Sequence, residues 1–341
     1  MICLSRIPKI SFVFALLLVV GISTDMVTTS LSAQSSLPLC NVGGAITDSA
    51  IWTPDCLYVV DSTINIGKSG VLTIQAGTIV KFKPNTSINV EGVLKVQGAS
   101  DNRVYLTSFR DDTIGGDTNV DGRNSEPAAR DWKFINFTDT IIDAETIIEY
   151  ADIRYGESIY MTAASPTLRN NMISHSYSYA LSMDVNSEPK TEGNTLSQNA
   201  VNGMEVRRGA VTTIQPIVRT WASTDIVYVV TGYLTYGIDV TLVIKPGVKV
   251  KVLPNKLIDI QGALQIQGTP DQPVYFTSLK DDSVGGDTNN DGNNSQATPG
   301  DWGHINFADS SDDNLSLVEY AILRYGGYHT DYGGGGPCGG N

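Results

Sequence analysis

The chain repeats a long stretch of itself, and this repeat limits the possible folds more than any other feature. Residues 107–137 read TSFRDDTIGGDTNVDGRNSEPAARDWKFINF, and residues 277–307 read TSLKDDSVGGDTNNDGNNSQATPGDWGHINF. The offset of 170 residues holds without a gap from Tyr58, matching Tyr228, to Gly156, matching Gly326. A little under half of these positions are identical. A repeat of this length indicates either two tandem domains or two long blocks of one solenoid.

Short apolar segments separated by turn residues fill both copies. The first copy contains VLTIQAGTIVKF, INVEGVLKVQG and VYLTS, and the second contains LVIKPGVKVKV, IDIQGALQIQG and VYFTS. Partial alternation over about 3–6 residues, bounded by Gly, Pro or Asn, is typical of strands. No later segment has the 3.6-residue period and the caps of a helix. We therefore predict an all-β chain with strands in at least two fifths of the mature protein.

A second, shorter repeat lies between the two copies. SPTLRNNMIS and SEPKTEGNTLS align at a separation of 23 residues, which places Asn171 opposite Asn194 and Ile173 opposite Leu196. A period in the low twenties indicates one coil of a parallel β-helix, in which stacked coils share a continuous core. We expect Ile173 and Leu196 to face inward, and the two asparagines to stack at a bend. The alternative is two surface asparagines in turns.

These short repeats resemble those of right-handed parallel β-helix proteins related to pectate lyases. The GGDTNxDG…DW block resembles repeats in large secreted or surface proteins of bacteria that carry such helices. The resemblance runs from about Val71 to the end of the chain. It implies an all-β, right-handed parallel β-helix solenoid with protruding acidic loops. It does not imply lyase activity, because no stretch matches the active-site motifs of those enzymes, and we assign no catalytic residue.

The N-terminus has the features of an export signal. Arg6 and Lys9 precede an apolar run over residues 10–22, and Leu31-Ser32-Ala33 is an imperfect cleavage site. The run is short for a membrane span of about 20 residues, and no later segment is long enough. We predict a secreted or cell-surface protein with no transmembrane helix after signal cleavage; the alternative is an uncleaved N-terminal anchor.

The repeats divide the chain into six parts. They are a signal peptide (1–33), a lead and first coil (34–57), β-helix block 1 with its acidic loop (58–157), short-period coils (158–216), β-helix block 2 with its acidic loop (217–327) and a Gly-rich tail (328–341).

Charge and cysteine content restrict the partners and the compartment. The net charge of −13 disfavours binding to nucleic acid or anionic lipid and suits divalent cations, although solubility alone is the other reading. In an oxidising compartment Cys40 and Cys56 would close a short loop, worth about 3 kcal/mol in a chain-entropy model. Free buried thiols are the alternative. Cys338 is left without a partner, which suggests either a disulfide to another chain or a partner in a part of the protein that this sequence does not include.

Two identical acidic patterns predict the binding of a metal. The hexads DTNVDG and DTNNDG, which begin at Asp117 and Asp287, match the opening of calcium loops, in which oxygens on alternate residues converge and Gly allows the bend. A bidentate Glu at position twelve is missing, and no helix signals flank the loops, so neither is an EF-hand. We expect structural Ca²⁺ in an affinity range of roughly 0.1–1 mM. The predicted ligands are Asp117, Asn119, Asp121, Arg123 (by its carbonyl), Ser125 and Asp131, and Asp287, Asn289, Asp291, Asn293 (by its carbonyl), Ser295 and Asp301.

Three points about these loops stay open in the sequence. The missing carboxylate could come from the Asp111-Asp112 and Asp281-Asp282 pairs instead of from Asp131 and Asp301. An Asp/Asn/Gly turn that is held by its own hydrogen bonds is the metal-free alternative. Trp132 and Trp302 follow directly, and we expect them to cover the joint between loop and coil rather than to stack on sugars.

The functional prediction is a non-enzymatic structural or adhesive β-helix protein with calcium-stabilised loops. A catalytic centre is normally built once, whereas the acidic pattern here appears twice. The alternatives are a lyase or hydrolase acting on acidic polysaccharide and a carbohydrate-binding module. The partners we expect are polysaccharide or other surface proteins. The tail has little apolar surface, so we expect that the chain is a piece of a longer protein or that its end associates end to end with a partner.

Overall fold

The computed structural model describes residues 37–327, which form thirty strands and no helix. The strands of block 1 and the short-period coils are β1 (Leu39–Ile46), β2 (Ser49–Trp52), β3 (Leu57–Ile66), β4 (Val71–Gln75), β5 (Ile79–Phe82), β6 (Ile88–Val90), β7 (Val93–Gln97), β8 (Val104–Ser108), β9 (Phe134–Phe137), β10 (Ile147–Glu149), β11 (Ala151–Arg154), β12 (Ser158–Met161), β13 (Thr167–Arg169), β14 (Met172–Ser174), β15 (Tyr179–Met183), β16 (Lys190–Glu192) and β17 (Thr195–Ser197).

The remaining strands form the junction and block 2. They are β18 (Val201–Val206), β19 (Gly209–Val211), β20 (Ile217–Trp221), β21 (Tyr228–Val230), β22 (Leu234–Tyr236), β23 (Val240–Ile244), β24 (Lys249–Val252), β25 (Ile258–Ile260), β26 (Ala263–Gln267), β27 (Val274–Ser278), β28 (Ile305–Phe307), β29 (Leu317–Glu319) and β30 (Ala321–Leu323).

Every pairing between these strands is parallel, and the strands stack in five columns that make a β-solenoid of about ten turns. The first half of β3 pairs with β5, and its second half pairs with β6, so β3 belongs to two columns. Column 1 runs β1–β3–β5–β8–β11–β14–β17, and column 2 runs β3–β6–β9–β12–β15–β18–β21–β24–β27–β30. Column 3 is β2–β4–β7–β10–β13–β16, column 4 is β19–β22–β25–β28 and column 5 is β20–β23–β26–β29.

Stacked apolar side chains hold the coils together. In column 3, Leu72 pairs with Leu94 and Ile74 pairs with Val96, and Val96 pairs in turn with Ile148. All five are fully buried. Because side chains alternate between the two faces of a strand, the residues between them face outward, which produces the partial alternation of the sequence. Each buried side chain contributes about 1.5–3 kcal/mol.

Asparagines stack at the bend between column 3 and column 1, as predicted. Asn171 Nδ2 donates to Asn194 Oδ1 (3.0 Å) and to the carbonyl of Ile148 (2.9 Å). Asn194 Nδ2 donates to Asp225 Oδ2 (2.9 Å), which ends the ladder. The preceding positions, Asn170 and Gly193, have positive φ and make the sharp bend. The inward amides satisfy backbone groups that the bend would otherwise leave without partners.

The predicted fold class is confirmed. The structure is an all-β parallel solenoid, and its strands include more than two fifths of the described residues. Ile173 is buried, and Leu196 is half-buried and packs against the core, because β17 is the last strand of its column. The right-handed winding of the solenoid stays a prediction.

The two blocks are joined out of phase, a feature that the repeat did not reveal. Column 1 ends at β17 and column 3 at β16, whereas column 2 continues through β18 into block 2. The strand before the first acidic loop, β8, lies in column 1. The equivalent strand before the second loop, β27, lies in column 2. Equivalent strands of the two copies therefore occupy different columns.

A disulfide joins Cys40 to Cys56, with a Cα–Cα distance of 6.0 Å, as predicted. The predicted signal peptide, the Gly-rich tail and Cys338 lie outside the described residues. Within residues 37–327, no helix is long and apolar enough to cross a bilayer.

Candidate metal centre

Each acidic loop folds over the outer face of the column from which it leaves. Loop 1 is residues 109–133, between β8 and β9, and loop 2 is residues 279–304, between β27 and β28. Lys81 lies between the inward residues Val80 and Phe82, so its side chain points outward. It is nevertheless fully buried, because loop 1 covers it.

Lysines beneath the loops hold them to the sheet. Lys81 Nζ donates to the carbonyl of Gly116 and to Thr118 Oγ1, both at 2.7 Å. Lys251 Nζ donates to the carbonyl of Gly286 at the same distance. Burial lowers the pKa of each lysine to about 8, although nearby aspartates act in the opposite direction. The loops are thus attached to the solenoid by buried polar contacts.

The tryptophans close the joint between loop and coil, as predicted. Trp132 is buried, stacks on Phe82 with ring centroids 4.3 Å apart, and donates through Nε1 to the carbonyl of Arg154 (2.8 Å). Trp302 is also buried and donates to the carbonyl of Arg324 (2.7 Å). A buried indole cannot serve as a surface for stacking sugars.

The first aspartate of each hexad shapes a tight turn. Asp117 accepts hydrogen bonds from the backbone N–H groups of Asp121 (3.2 Å) and Gly122 (2.9 Å). Gly122 has a φ of 72°, a conformation that glycine adopts at no steric cost. Asp287 makes the same two bonds in loop 2, to Asp291 (3.1 Å) and Gly292 (2.9 Å). This part of each loop is what the metal-free alternative predicts.

The alternate residues of the hexad converge inside the turn. Asn119 Nδ2 donates to Asp121 Oδ2 (2.8 Å) and to Ser125 Oγ (3.0 Å), and Ser125 Oγ donates to Asp121 Oδ2. Asn289, Asp291 and Ser295 form the same set of bonds in loop 2. The side chains of Arg123 and Asn293 are exposed at the rim.

Three carboxylates meet in each loop. Oxygens of Asp112, Asp117 and Asp121 lie within 4.8 Å of one another, and so do those of Asp282, Asp287 and Asp291. Burial, followed by the charge of Asp117, raises the pKa of Asp112 above its ordinary value. The pKa of Asp282 is raised for the same reasons, with Asp287 as the main neighbour. The charges of Lys81 and Lys251 act in the opposite direction, so the negative charge of each cluster is only partly neutralised.

One set of oxygens in each loop is buried without a hydrogen-bond donor. In loop 1 these are Oδ1 of Asp112, Asn119 and Asp121. In loop 2 they are Oδ1 of the three equivalent residues, Asp282, Asn289 and Asp291. Buried polar atoms are normally paired, and an unpaired one costs about 1–3 kcal/mol. A turn that satisfied itself by its own hydrogen bonds would not leave these acceptors unpaired, and the same three are unpaired in both copies.

The structure does not bring Asp131 and Asp301 into these clusters. Asp131 Oδ2 accepts from Ser108 Oγ (2.6 Å) and from the N–H of Ala128 (3.1 Å), and Oδ1 pairs with Arg110 (3.0 Å). For Asp301, burial opposes ionisation, but hydrogen bonds from Thr298, Ser278 and Lys280 outweigh it and lower the pKa. Both residues fix the end of the loop.

The additional carboxylate that we expected from Asp131 comes instead from Asp112, which lies five residues before the hexad. The sequence signal for it was the Asp-Asp pair, which recurs in both copies. The other member of the pair, Asp111, is fully buried and accepts from Thr107 Oγ1 (2.6 Å) and the N–H of Thr113 (3.1 Å). One aspartate of each pair therefore anchors the loop, and the other faces the hexad.

Comparison of the chain with models of protein families, with curated proteins and with solved structures found no match.

Proposed function

We propose that this protein is a secreted or cell-surface structural solenoid without enzymatic activity, and that each acidic loop binds one Ca²⁺. The observation that carries the proposal is the set of buried oxygens without donors, Oδ1 of Asp112, Asn119 and Asp121, which recurs atom for atom in loop 2. A cation placed among these oxygens would satisfy all three and neutralise the clustered carboxylates.

The chemistry of the donors favours calcium over other divalent ions. The donors are carboxylate, amide and hydroxyl oxygens, and neither described cluster contains a cysteine or histidine, the ligands that zinc prefers. Mg²⁺ needs a near-octahedral shell and retains its waters, whereas Ca²⁺ accepts six to eight oxygens at flexible geometry. With Asp131 and Asp301 engaged elsewhere, Asp112 and Asp282 would supply the additional carboxylate.

The duplication supports a structural role over a catalytic one. The same bonds recur in both loops, and each loop covers the outer face of its sheet and is held by a buried lysine. Ions at these positions would fasten the loops to the coils. The disulfide between Cys40 and Cys56 is consistent with export to an oxidising compartment.

Calcium titration of the purified chain tests the proposal. We expect two Ca²⁺ per chain by calorimetry, a higher melting temperature in calcium and a lower one after chelation. Replacing one carboxylate, by Asp112→Asn or Asp282→Asn, should leave one site, and the double variant should lose the response. Asp139→Asn with Asp309→Asn removes the same charge at exposed positions, also 170 residues apart, and should respond like wild type.

Two results would contradict the proposal. The first is wild-type protein whose melting temperature and heat of titration do not change with millimolar calcium. The second is the control pair losing the response as fully as the Asp112 and Asp282 pair, because the effect would then be one of general charge. Release of products from acidic polysaccharide in the presence of calcium would instead support the enzymatic alternative.

A further inference from the structure

The last described coil, made of β28, β29 and β30, presents an apolar face to solvent at the C-terminal end of the solenoid. A cavity of about 520 Å³ opens there, and residues that line it include Ile266, Trp302, Phe307, Val318 and Leu323. Among residues 37–327 each of the three strands is the last in its column, so one edge of its backbone has no strand partner there. Such edges accept a further parallel strand.

The internal repeat shows what normally covers this face. Phe307, Val318 and Leu323 are 44%, 55% and 52% exposed, whereas their block 1 equivalents Phe137, Ile148 and Ile153 are 0%, 0% and 4% exposed. In block 1 the difference is due to the next coil, because β12, β13 and β14 pair with β9, β10 and β11. The exposed face is therefore one half of a coil–coil interface that exists elsewhere in the same molecule.

The residues that follow do not have the sequence to complete this interface. In block 1, Ile159 and Met161 are buried and cover the coil below. The positions 170 residues later are His329 and Asp331. Neither side chain could replace an isoleucine or a methionine in an apolar core without a high cost of desolvation. The segment that directly follows Gly326 therefore does not repeat the covering strand of block 1.

The opposite end of the solenoid offers a suitable surface. Within the part of the chain that the structure describes, β1 and β2 are edge strands there, and the inward residues Val42, Ile46 and Ala50 are only half-buried. They line a shallow cavity of about 270 Å³. Because all strands of the solenoid are parallel, moving one molecule along the axis of another and rotating it about that axis sets these edges parallel to β28–β30. Turning one molecule around, so that two C-terminal ends meet, would set the strands antiparallel.

We propose that the C-terminal face of one molecule binds the N-terminal face, β1 and β2, of a second copy, so that the coils continue from chain to chain. The interface is heterologous: each molecule uses a different surface at each end, and the assembly is open and linear. The predicted end-to-end association thus acquires a direction and a pair of surfaces. It requires none of the proposed calcium ligands, so it can hold or fail independently of calcium binding.

Sedimentation velocity over a range of concentrations tests this arrangement. It should be run with the Cys338→Ser chain, so that no disulfide to another chain contributes. We expect larger species to form as the concentration rises. A charge on either face, by Val42→Lys at one end or Leu323→Lys at the other, should make the protein monomeric. Both residues are half-buried or exposed, so the fold should accept lysine, and circular dichroism and the melting temperature check this.

Mixing the two variants gives the deciding result. The Val42→Lys protein keeps an intact C-terminal face, and the Leu323→Lys protein keeps an intact N-terminal face. An equimolar mixture should therefore form a dimer that does not grow further. As a control, Val218→Lys places the same charge on an exposed residue of β20, away from both ends, and should assemble like the parent.

Three outcomes would overturn the proposal. One is a Cys338→Ser chain that is monomeric at every concentration. Another is self-association of the Val42→Lys variant alone, which would mean that C-terminal ends pair with each other. The third is a mixture of the two variants that stays monomeric while each of them remains folded.

Discussion

At the scale of single residues, the most unusual groups are the lysines buried beneath the loops. Lys81 and Lys251 are fully buried on the outer side of a strand, a location where lysine is rare unless it is paired. Their partners include backbone carbonyls of Gly116 and Gly286, which are neutral. These contacts satisfy hydrogen bonds but compensate only partly for the desolvation of the charge.

The lowered pKa of these lysines predicts a rise of stability with pH. In the folded chain the pKa is about 8, and the ordinary value is 10.5, so between these values unfolding takes up a proton at each lysine. Stability should therefore increase from pH 8 to pH 10, by up to about 1.4 kcal/mol per pH unit for each lysine. Below pH 8 both states are protonated, so stability no longer changes with pH through these lysines, and the full cost of burying their charge remains.

Urea unfolding at pH 8, 9 and 10, in chelator and without calcium, measures the effect. The control is the double variant Lys81→Met with Lys251→Met, in which titration of all other groups remains. The urea midpoint of wild type should rise relative to that of the variant as the pH increases. Midpoints that move in parallel would mean that both lysines keep an ordinary pKa.

At the scale of elements, the coils could be read from the sequence, but the composition of the site could not. Asn171 and Asn194 were placed correctly because a fixed period of 23 residues determines which side chains stack. Asp112 was not singled out over Asp131, because its position depends on how the loop reverses. Gly115 and Gly116 both have positive φ and turn the chain between Asp112 and the hexad. Spacing along the sequence does not encode such a reversal.

The phase change at the junction escaped prediction for a related reason. The repeat defines which strands are equivalent in the two copies, but not which strand each one pairs with. β18 pairs with β21, and β19 and β20 lie between them in the chain. β19 and β20 pair with β22 and β23 as β1 and β2 pair with β3 and β4, so the two blocks match on either side of the junction and differ only in the strand that precedes them.

Loop 2 is also attached to β18, the strand at the junction of the two blocks. A substitution that adds one methyl group there should have a local effect. The N–H of Asn202 donates to the carbonyl of Thr288 (2.7 Å). A Cβ at the neighbouring Gly203 would meet Val229 Cγ2 at 2.8 Å and Thr288 Cγ2 at 3.2 Å. Gly203→Ala should therefore displace loop 2 and destabilise the chain by about 1–3 kcal/mol, as overpacked sites do.

Amide hydrogen exchange measures the displacement of loop 2 at the level of single residues. In the Gly203→Ala variant, exchange should accelerate in loop 2 and stay unchanged in loop 1. Gly67→Ala is the matched control, because a Cβ at Gly67 would meet nothing closer than a carbonyl oxygen at 3.7 Å. Equal acceleration in both loops would indicate a global loss of stability instead of a local displacement.

At the scale of the whole molecule, each coil contacts chiefly the coils directly before and after it, so stability is a sum of local terms. The disulfide joins β1 to the residue that precedes β3, at the N-terminal end of the stack. Its removal, by Cys40→Ser with Cys56→Ser, should lower the free energy of unfolding by about 3 kcal/mol, because the unfolded chain is then no longer restricted by a closed loop.

The loss of stability should be confined to the N-terminal end of the solenoid. We expect faster amide exchange in β1 and β2 of the double serine variant, and no change in β27, many coils away. Reduction of the wild-type protein should reproduce the pattern, whereas the reductant should leave the serine variant unaffected. Uniform acceleration from β1 to β27 would mean that the solenoid unfolds as a single cooperative unit.

The out-of-phase junction also bears on how a gene for such a protein can lengthen. A copied segment does not have to begin and end at the same corner of a coil, because column 2 accepts strands from either position in the repeat. Duplicated segments of different lengths can therefore be added to the solenoid, provided that the new strands have parallel edges and apolar inward residues. Duplication then has a second consequence: a loop that is copied without change in sequence can leave the solenoid from a different column.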